Sequence, residues 1–102
     1  MSQVAIWVKV PAKPGMRDAM IEVMQAEIDH VTQVEPGTVY YILHTDPTDE
    51  DAVFLYGLYT DRAAYEAHGQ SDTFESMGPM LAPFLGGSPQ LKVLKPVQGK
   101  GL

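Results

Sequence analysis

Hydrophobic and polar residues alternate in the first segment of the chain and then change to a helical spacing. One parity of residues 3–10 is apolar: Val4, Ile6, Val8 and Val10. This period of two predicts a strand that Pro11 ends. Further on, the apolar residues recur every three or four positions: Met16, Met20, Val23, Met24, Ile28 and Val31. That spacing predicts a long amphipathic helix, closed by the turn at residues 35–37.

The rest of the chain predicts shorter elements separated by turn residues. We expect strands over 38–45, 53–60 and 90–97, and an acidic turn over 46–51. Asp61 is expected to cap a helix over 62–68, with Gly69 as its C′ residue. Ser71 is expected to cap a further helix, which prolines at positions 79 and 83 interrupt. Residues 1–97 are predicted to form one domain and residues 98–102 a flexible tail.

The order of these elements, β-α-β-β-α-α-β, is typical of one fold class. It matches an α+β, ferredoxin-like split β-α-β sandwich, in which a four-stranded antiparallel sheet carries its helices on one face. A length of 102 residues agrees with a single domain of this kind.

The strand predicted over 53–60 is apolar on both faces. Phe54, Tyr56 and Leu58 occupy one parity, and Val53, Leu55 and Tyr59 the other. Helices cover only one face of such a sheet, and a face in contact with water would alternate with polar residues. We therefore expect the second face to pack against the same face of a second subunit, giving a homodimer through the sheet face.

Composition and charge exclude several classes of partner and chemistry. Seven Lys and Arg against 13 Asp and Glu give a formal net charge of −6, which argues against nucleic acid or a membrane surface as a partner. The chain has no cysteine, so disulfides and thiolate catalysis are excluded. Residues 1–15 lack the pattern of a secretory signal, and no apolar run approaches the ~20 residues that span a bilayer. A cytoplasmic location is expected.

The sequence contains no recognisable cofactor or metal motif. Phosphate-binding glycine loops, dinucleotide fingerprints and zinc-type spacings are missing. The acidic segment 46–51 lacks the spacing of a calcium loop and is interpreted as a solvated turn. His44 and His68 could together bind a metal, but no third ligand is spaced to complete such a site. We therefore predict no cofactor and no metal.

His68 is the candidate for proton transfer, because histidine titrates near neutral pH. It is either a partly exposed histidine near the negative end of a helix dipole or a proton shuttle at a pocket. The aromatic residues Trp7, Tyr59, Tyr65 and Phe74 allow the same two interpretations, core packing or the lining of a pocket. Met77 either fills the core or lines an apolar cavity.

Several short motifs together resemble a known family. They are Lys13-Pro14-Gly15, Glu35-Pro36-Gly37, Asp46-Pro47, the Asp-Arg-Ala-Ala-Tyr-Glu-Ala-His run at 61–68, Ser71-x-x-Phe74 and the closing segment 91–97. Their order and spacing resemble the antibiotic biosynthesis monooxygenase domain, a dimeric α+β barrel family, over about residues 3–97. The family includes cofactor-free oxygenases of aromatic polyketides, quinol oxygenases, haem-degrading enzymes and an isomerase.

The resemblance also implies roles for individual residues. The family's histidine in the Ala-His run matches His68, and the tyrosine of polyketide-oxidising members matches Tyr65. The family's Glu-x-Trp corresponds here to Gly57-x-Tyr59. Where many members carry a second histidine, this chain has Thr73.

One departure from the family bears on the reaction. The strand asparagine of the polyketide-oxidising and haem-degrading branches is replaced by Leu55, and the chain contains no asparagine. Haem degradation is therefore not expected.

The resemblance and the residues together suggest a cofactor-independent monooxygenase that oxidises a small aromatic, polyketide or quinol-like substrate with O2. A substrate that forms a stabilised carbanion can itself reduce dioxygen, so the protein needs only an apolar cavity, oriented donors and a base. His68 and Tyr65 are the expected catalytic residues. The expected substrate-binding residues are Trp7, Tyr41, Tyr59, Phe74 and Met77. Two alternatives remain: an isomerase or other proton-transfer enzyme, and a non-catalytic dimeric ligand-binding module.

Overall fold

The computed structural model describes residues 2–102. In chain order the elements are β1 (Val4–Pro11), α1 (Arg17–Val34), β2 (Thr38–Asp46), β3 (Asp49–Tyr59), α2 (Arg62–Gly69), α3 (Asp72–Leu81), a 3-10 turn (Ala82–Phe84) and β4 (Gln90–Leu94). The strands form one sheet in the order β2-β3-β1-β4, and each neighbouring pair is antiparallel. The α+β ferredoxin-like prediction is confirmed.

The pleat of the sheet separates two sets of side chains. Ile6, Gly57 and Tyr41 pair across β1, β3 and β2, and this parity faces the helices. The next rung pairs Trp7 with Tyr56 and belongs to the opposite, outer face of the sheet. Because successive side chains point to opposite faces, the apolar alternation along β1 decides which residues the helices cover.

The helices cover the inner face and enclose an apolar core at one end of the sheet. The buried members of this core are Val10, Ala12, Met20, Met24, Val53 and Met77. Met20 and Met24 are one helical turn apart in α1, so they lie on the same side of the helix. None of the helices in residues 2–102 has the length and apolarity needed to cross a bilayer.

The β2–β3 hairpin is tighter than the sequence indicates, because β3 begins at Asp49 rather than at 53. Oδ1 of Asp46 accepts hydrogen bonds from the backbone N–H and the hydroxyl of Thr48, at 2.8 and 2.7 Å. These bonds lower the pKa of Asp46. They also close a compact turn, so that the strands stay paired up to Asp46 and Asp49.

Residues 2–102 contain no group of three His, Asp or Glu side chains placed to hold a metal ion.

Two predictions about the helix ends are wrong. Gly69 is the last residue of α2 rather than its C′ residue, and Gln70 is the C-cap, whose N–H donates to the carbonyl of Glu66. Pro79 does not interrupt α3, which continues through this residue to Leu81. Pro79 lies on the exposed side of α3, where water can satisfy the carbonyl left without an intrahelical donor.

The outer face of the sheet keeps exposed apolar side chains: Trp7, Tyr40 and Ile42 are 39%, 43% and 44% exposed. The strand β4 ends at Leu94 instead of 97, shortly before a proline that lacks the N–H needed for pairing. Residues 98–102 line an open groove of about 530 Å³ against this face. Dimerisation through the sheet face stays a prediction.

Candidate active site

A histidine and a glutamate from two different helix ends form a hydrogen-bonded pair. Asp61 caps α2 by accepting from the N–H of Ala64 at 2.8 Å, and His68 lies in the last turn of the same helix. Glu35 is the C-cap residue of α1. The Nδ1 of His68 is 2.8 Å from Oε1 of Glu35, which also accepts from the Thr38 hydroxyl at 3.0 Å. With a carboxylate as its acceptor, Nδ1 carries the proton, and in the neutral ring Nε2 is then an unprotonated acceptor.

The second nitrogen of His68 is buried without a partner. The residue is 3% exposed, and Nε2 has no hydrogen-bond partner among the described residues. Aromatic rings surround the imidazole of His68, and their centroids lie 5.0 Å (Tyr41), 5.5 Å (Tyr59) and 5.2 Å (Phe74) from its centroid. His68 does lie in the last turn of α2, but the interpretation of its side chain as partly exposed is wrong.

A second carboxyl group approaches the same histidine from the middle of α1. Glu27 is 4% exposed, and its Oε1 accepts from the Tyr41 hydroxyl at 2.9 Å. Its Oε2 is buried and has no partner. Burial raises the pKa of Glu27, although the hydrogen bond from Tyr41 acts against the shift. Burial and the neighbouring Glu27 raise the pKa of Tyr41, which therefore stays a donor.

The hydroxyl of Tyr59 joins His68 Nε2 and Glu27 Oε2 as the third buried polar atom of this site without a partner. The residue is fully buried in β3, and its ring meets that of Tyr65 edge-on at 5.4 Å. A Cβ atom on Gly57 would lie 3.2 Å from the Tyr59 hydroxyl and 2.9 Å from Cγ1 of Ile6. The missing side chain at Gly57 thus leaves room for that hydroxyl. Burial raises the pKa of Tyr59, so this group too remains protonated at neutral pH.

These residues form one site, which we call the buried polar cluster: Glu27, Glu35, Tyr41, Tyr59 and His68. Three of its members, contributed by α1, β3 and α2, keep an unsatisfied polar atom. Leaving such an atom unpaired costs about 1–3 kcal/mol, so an arrangement of three requires an explanation. Among residues 2–102, no lysine or arginine donates a hydrogen bond to the cluster. The site offers an acceptor, a donor and a carboxyl group, and no cation.

Comparison with known proteins identifies the family. The sequence model of the antibiotic biosynthesis monooxygenase family matches residues 4–78, a segment that contains all five residues of the buried polar cluster. The chain belongs to this family. No curated protein matches it.

Solved structures show how widely the fold of this antibiotic biosynthesis monooxygenase domain occurs. A protein from Caulobacter crescentus, provisionally described as an antibiotic biosynthesis monooxygenase, is 24% identical, with 95% of this chain and 92% of that chain covered and a TM-score of 0.90. Rv0793 from Mycobacterium tuberculosis is 23% identical, with 98% and 100% covered and a TM-score of 0.87. PA3566 from Pseudomonas aeruginosa is 20% identical, with 96% and 97% covered and a TM-score of 0.84. At these identities the likeness shows the fold alone.

Most of the residues that the sequence singled out for the monooxygenase-family site come together. Tyr41, Tyr59 and Phe74 contact the ring of His68, and Tyr65 contacts the ring of Tyr59. Phe74 is 44% exposed and stands at the solvent side of the group. Their roles in binding and catalysis remain predictions.

Two of the predicted site residues, Trp7 and Met77, lie outside the aromatic group around His68. The structure also excludes the metal site suggested for His44 and His68. Trp7 is on the outer sheet face, where its ring lies 5.7 Å from Phe54 and 5.8 Å from His44. The prediction that Trp7 lines the cavity of His68 is wrong, because its parity in β1 directs it away from the helices. Met77 lies in the apolar core. The sheet also separates His44 from His68, so the two cannot share a metal.

Neither carboxyl group of the site is among the residues predicted from the sequence. Glu35 belongs to a predicted turn and is 33 residues from its partner His68, a pairing that no local pattern indicates. The position of Glu27 in the sequence does indicate that it is unusual. It lies three residues after Met24 and four before Val31, so it interrupts the stripe of α1 that faces the sheet. A carboxyl group in such a stripe departs from the apolar pattern of a core-facing helix surface, and such departures are expected at functional or strained sites.

Proposed function

We propose that the protein is a cofactor-independent monooxygenase that oxidises a small aromatic or quinol-like substrate with O2, and that His68 is its base. Membership of the family supports a monooxygenase-like role in general. The observation that carries the proposal is the pairing of His68 Nδ1 with Glu35 while Nε2 stays buried and free. A histidine oriented in this way can take a proton at Nε2, and the carboxylate stabilises the imidazolium that forms.

The proposed reaction needs no electron source other than the substrate. Removal of one proton by His68 leaves an enolate or phenolate, which reduces O2 directly. For an anthrone-type ring, a CH2 group and O2 become a carbonyl group and one water. One oxygen atom enters the product and the other leaves as water, so atoms and electrons balance. Tyr59 orients the substrate oxygen, and Tyr65 supports Tyr59 through its edge-on contact.

The charge of the buried polar cluster supports a neutral substrate. Glu27 and Glu35 supply two carboxyl groups, and no lysine or arginine of the described residues forms an ion pair with them. Binding a phosphate or carboxylate in such a site adds a like charge in a region with little water. This favours a neutral phenol, anthrone or quinol over a phosphorylated metabolite. Access for the substrate is expected beside Phe74, the exposed aromatic residue next to His68.

Oxygen consumption by metal-stripped protein tests the proposal against a panel of hydroquinones, anthrones and naphthols. We expect uptake that falls by about 10²–10⁴-fold in His68→Ala, the usual contribution of a positioned base. Glu35→Gln should lower kcat with a smaller change in KM, because it removes the charge that stabilises imidazolium. His30→Ala, which changes an exposed histidine of α1, is the matched control.

The outcomes separate the three functional interpretations. Full turnover in His68→Ala would refute the assignment of the base. Substrate conversion that proceeds equally under argon would identify an isomerase. Ligand binding without any conversion would indicate a binding module.

We also propose that two copies pack through their outer sheet faces. Support comes from the exposed side chains of Trp7, Tyr40 and Ile42 on a face that the helices do not cover. Sedimentation velocity should show a dimer for the wild type and a monomer for Trp7→Glu, since the interface would bury that charge. Gln25→Glu, an exposed change on α1, is the control. A monomeric wild type at about 100 μM would contradict the proposal.

A further inference from the structure

The proposed mechanism leaves one of the three unpartnered atoms in the buried polar cluster without a role. His68 Nε2 takes the proton and the Tyr59 hydroxyl orients a substrate oxygen, whereas Oε2 of Glu27 has no assigned partner. Glu27 and Tyr59 are both buried near the same histidine: the ring centroid of Tyr59 is 5.5 Å from that of His68, and the ring centroid of Tyr41, whose hydroxyl donates to Glu27, is 5.0 Å from it. Buried polar atoms of this kind are normally satisfied, so a ligand is the partner to consider.

We propose that Glu27 and Tyr59 form a second subsite, which binds a hydroxyl group of the substrate. A hydroxyl is both a donor and an acceptor, so it donates to Oε2 of Glu27 and accepts from the Tyr59 hydroxyl. Tyr41 is a positioning residue, because its hydrogen bond to Oε1 directs the other carboxyl oxygen. The inference rests on the proposed function in one respect, that the same ligand presents another oxygen to His68.

The local sequence supports a role beyond packing at both positions. Glu27 stands in the stripe of α1 between Met24 and Val31, where an apolar residue would continue the core. Tyr59 ends a buried strand, and its hydroxyl lies where a side chain on Gly57 would come into close contact with it. Burial raises the pKa of Tyr59, which keeps its hydroxyl a donor. Such departures from simple core chemistry are expected at functional sites.

Equilibrium binding under argon tests the subsite without requiring catalysis. The probes are 1,4-dihydroxynaphthalene and 4-methyl-1-naphthol, in which a methyl group of similar size replaces one hydroxyl. We expect the wild type to bind the dihydroxy probe about tenfold more tightly, the effect of one hydrogen bond to a carboxylate. The ratio of the two Kd values should fall towards one in Glu27→Gln and in Tyr59→Phe.

Controls separate the subsite from general destabilisation and from the proposed base. Glu22→Gln, an exposed change on α1, should leave the ratio unchanged. His68→Gln should weaken both probes equally and keep the ratio. If Glu27→Gln does not fold, Glu27→Leu combined with Tyr41→Phe replaces both partners by apolar groups and gives the same readout.

Each remaining outcome has a defined meaning. A ratio near one in the wild type, a ratio unchanged in both Glu27→Gln and Tyr59→Phe, or no binding of either probe at about 1 mM would overturn the subsite. Oxygen consumption tests the proposed function separately. If the protein keeps the ratio of Kd values but never consumes O2, the monooxygenase function is refuted and the subsite is not.

Discussion

Replacing Tyr41 by phenylalanine should destabilise the fold more than the loss of one hydroxyl suggests. The hydroxyl donates to Glu27 at 2.9 Å, and it is the only side-chain donor that the described residues offer this carboxyl group. In Tyr41→Phe both carboxyl oxygens of a residue that is 4% exposed would lack a protein partner. The ring, its contact with His68 and the backbone of β2 are unchanged by the substitution.

The expected cost follows from the charge and the burial. A hydrogen bond to a charged group contributes about 1.5–3 kcal/mol, and removing one partner leaves the desolvation of the other uncompensated. We expect Tyr41→Phe to lower the free energy of unfolding by about 2 kcal/mol, which is about 8–16 °C in Tm for a domain of this size. Glu27→Leu combined with Tyr41→Phe should recover to within about 1 kcal/mol of the wild type, because no buried polar atom is then left unpaired.

Urea unfolding followed by circular dichroism at about pH 7.5 measures Tyr41→Phe, Glu27→Leu and the double variant, at one constant protein concentration because a dimer would make stability depend on it. Tyr40→Phe is the matched control, since the neighbouring tyrosine lies on the outer face and is 43% exposed. A loss below about 0.5 kcal/mol in Tyr41→Phe would refute the reasoning. So would a double variant whose loss equals the sum of the single ones, because the two groups would then not be coupled.

Two further predictions concern pH and backbone space. Burial raises the pKa of Glu27 above 4.5, so the carboxyl group binds its proton more tightly in the folded protein than in the unfolded chain. The stabilisation from this proton is complete below about pH 4.5 and is lost as the pH rises through the pKa of the folded state. Urea unfolding measured from about pH 4.5 upwards through neutral pH should therefore show a weaker decline of the unfolding free energy in Glu27→Gln than in the wild type, and an unchanged decline would contradict the assignment. A Cβ on Gly86 would lie 2.5 Å from the carbonyl oxygen of Ala12, whereas one on Gly78 meets nothing within 4 Å. Thermal unfolding should show Gly86→Ala losing more than about 1 kcal/mol and Gly78→Ala, in an exposed helix, gaining about 0.5–1 kcal/mol; equal effects would refute the geometric argument.

Part of the candidate site could be predicted from the sequence, because some of its positions follow from local rules. His68 ends a helix whose start is set by a cap at Asp61, and Tyr59 ends a strand of clear apolar character. The short connection between β3 and α2 keeps these two elements close together, which favours the contact between the rings of Tyr59 and His68. Trp7 shows the limit of this reasoning, because an aromatic residue on a strand gives no sign of which face carries the site.

The carboxyl groups of the site depend on the tertiary structure. Glu35 reaches His68 because α1 ends beside the last turn of α2, and Glu27 reaches Tyr41 because α1 crosses the inner face of β2. Neither contact has a local signature, since the residues are 33 and 14 positions apart. Hydrogen bonds at such separations are set by how the elements pack against each other.

The sequence by itself determined the elements, their order and the fold class, because period-two and period-3.6 patterns and helix caps act over a few residues. It also determined the net charge and the absence of cysteine chemistry. Only the tertiary structure decided that Trp7 and His68 lie on opposite faces of the sheet, and that two carboxyl groups surround the histidine. The physical reason is that the pairing of strands and the crossing of helices bring together residues whose separation along the chain carries no information about their distance in space.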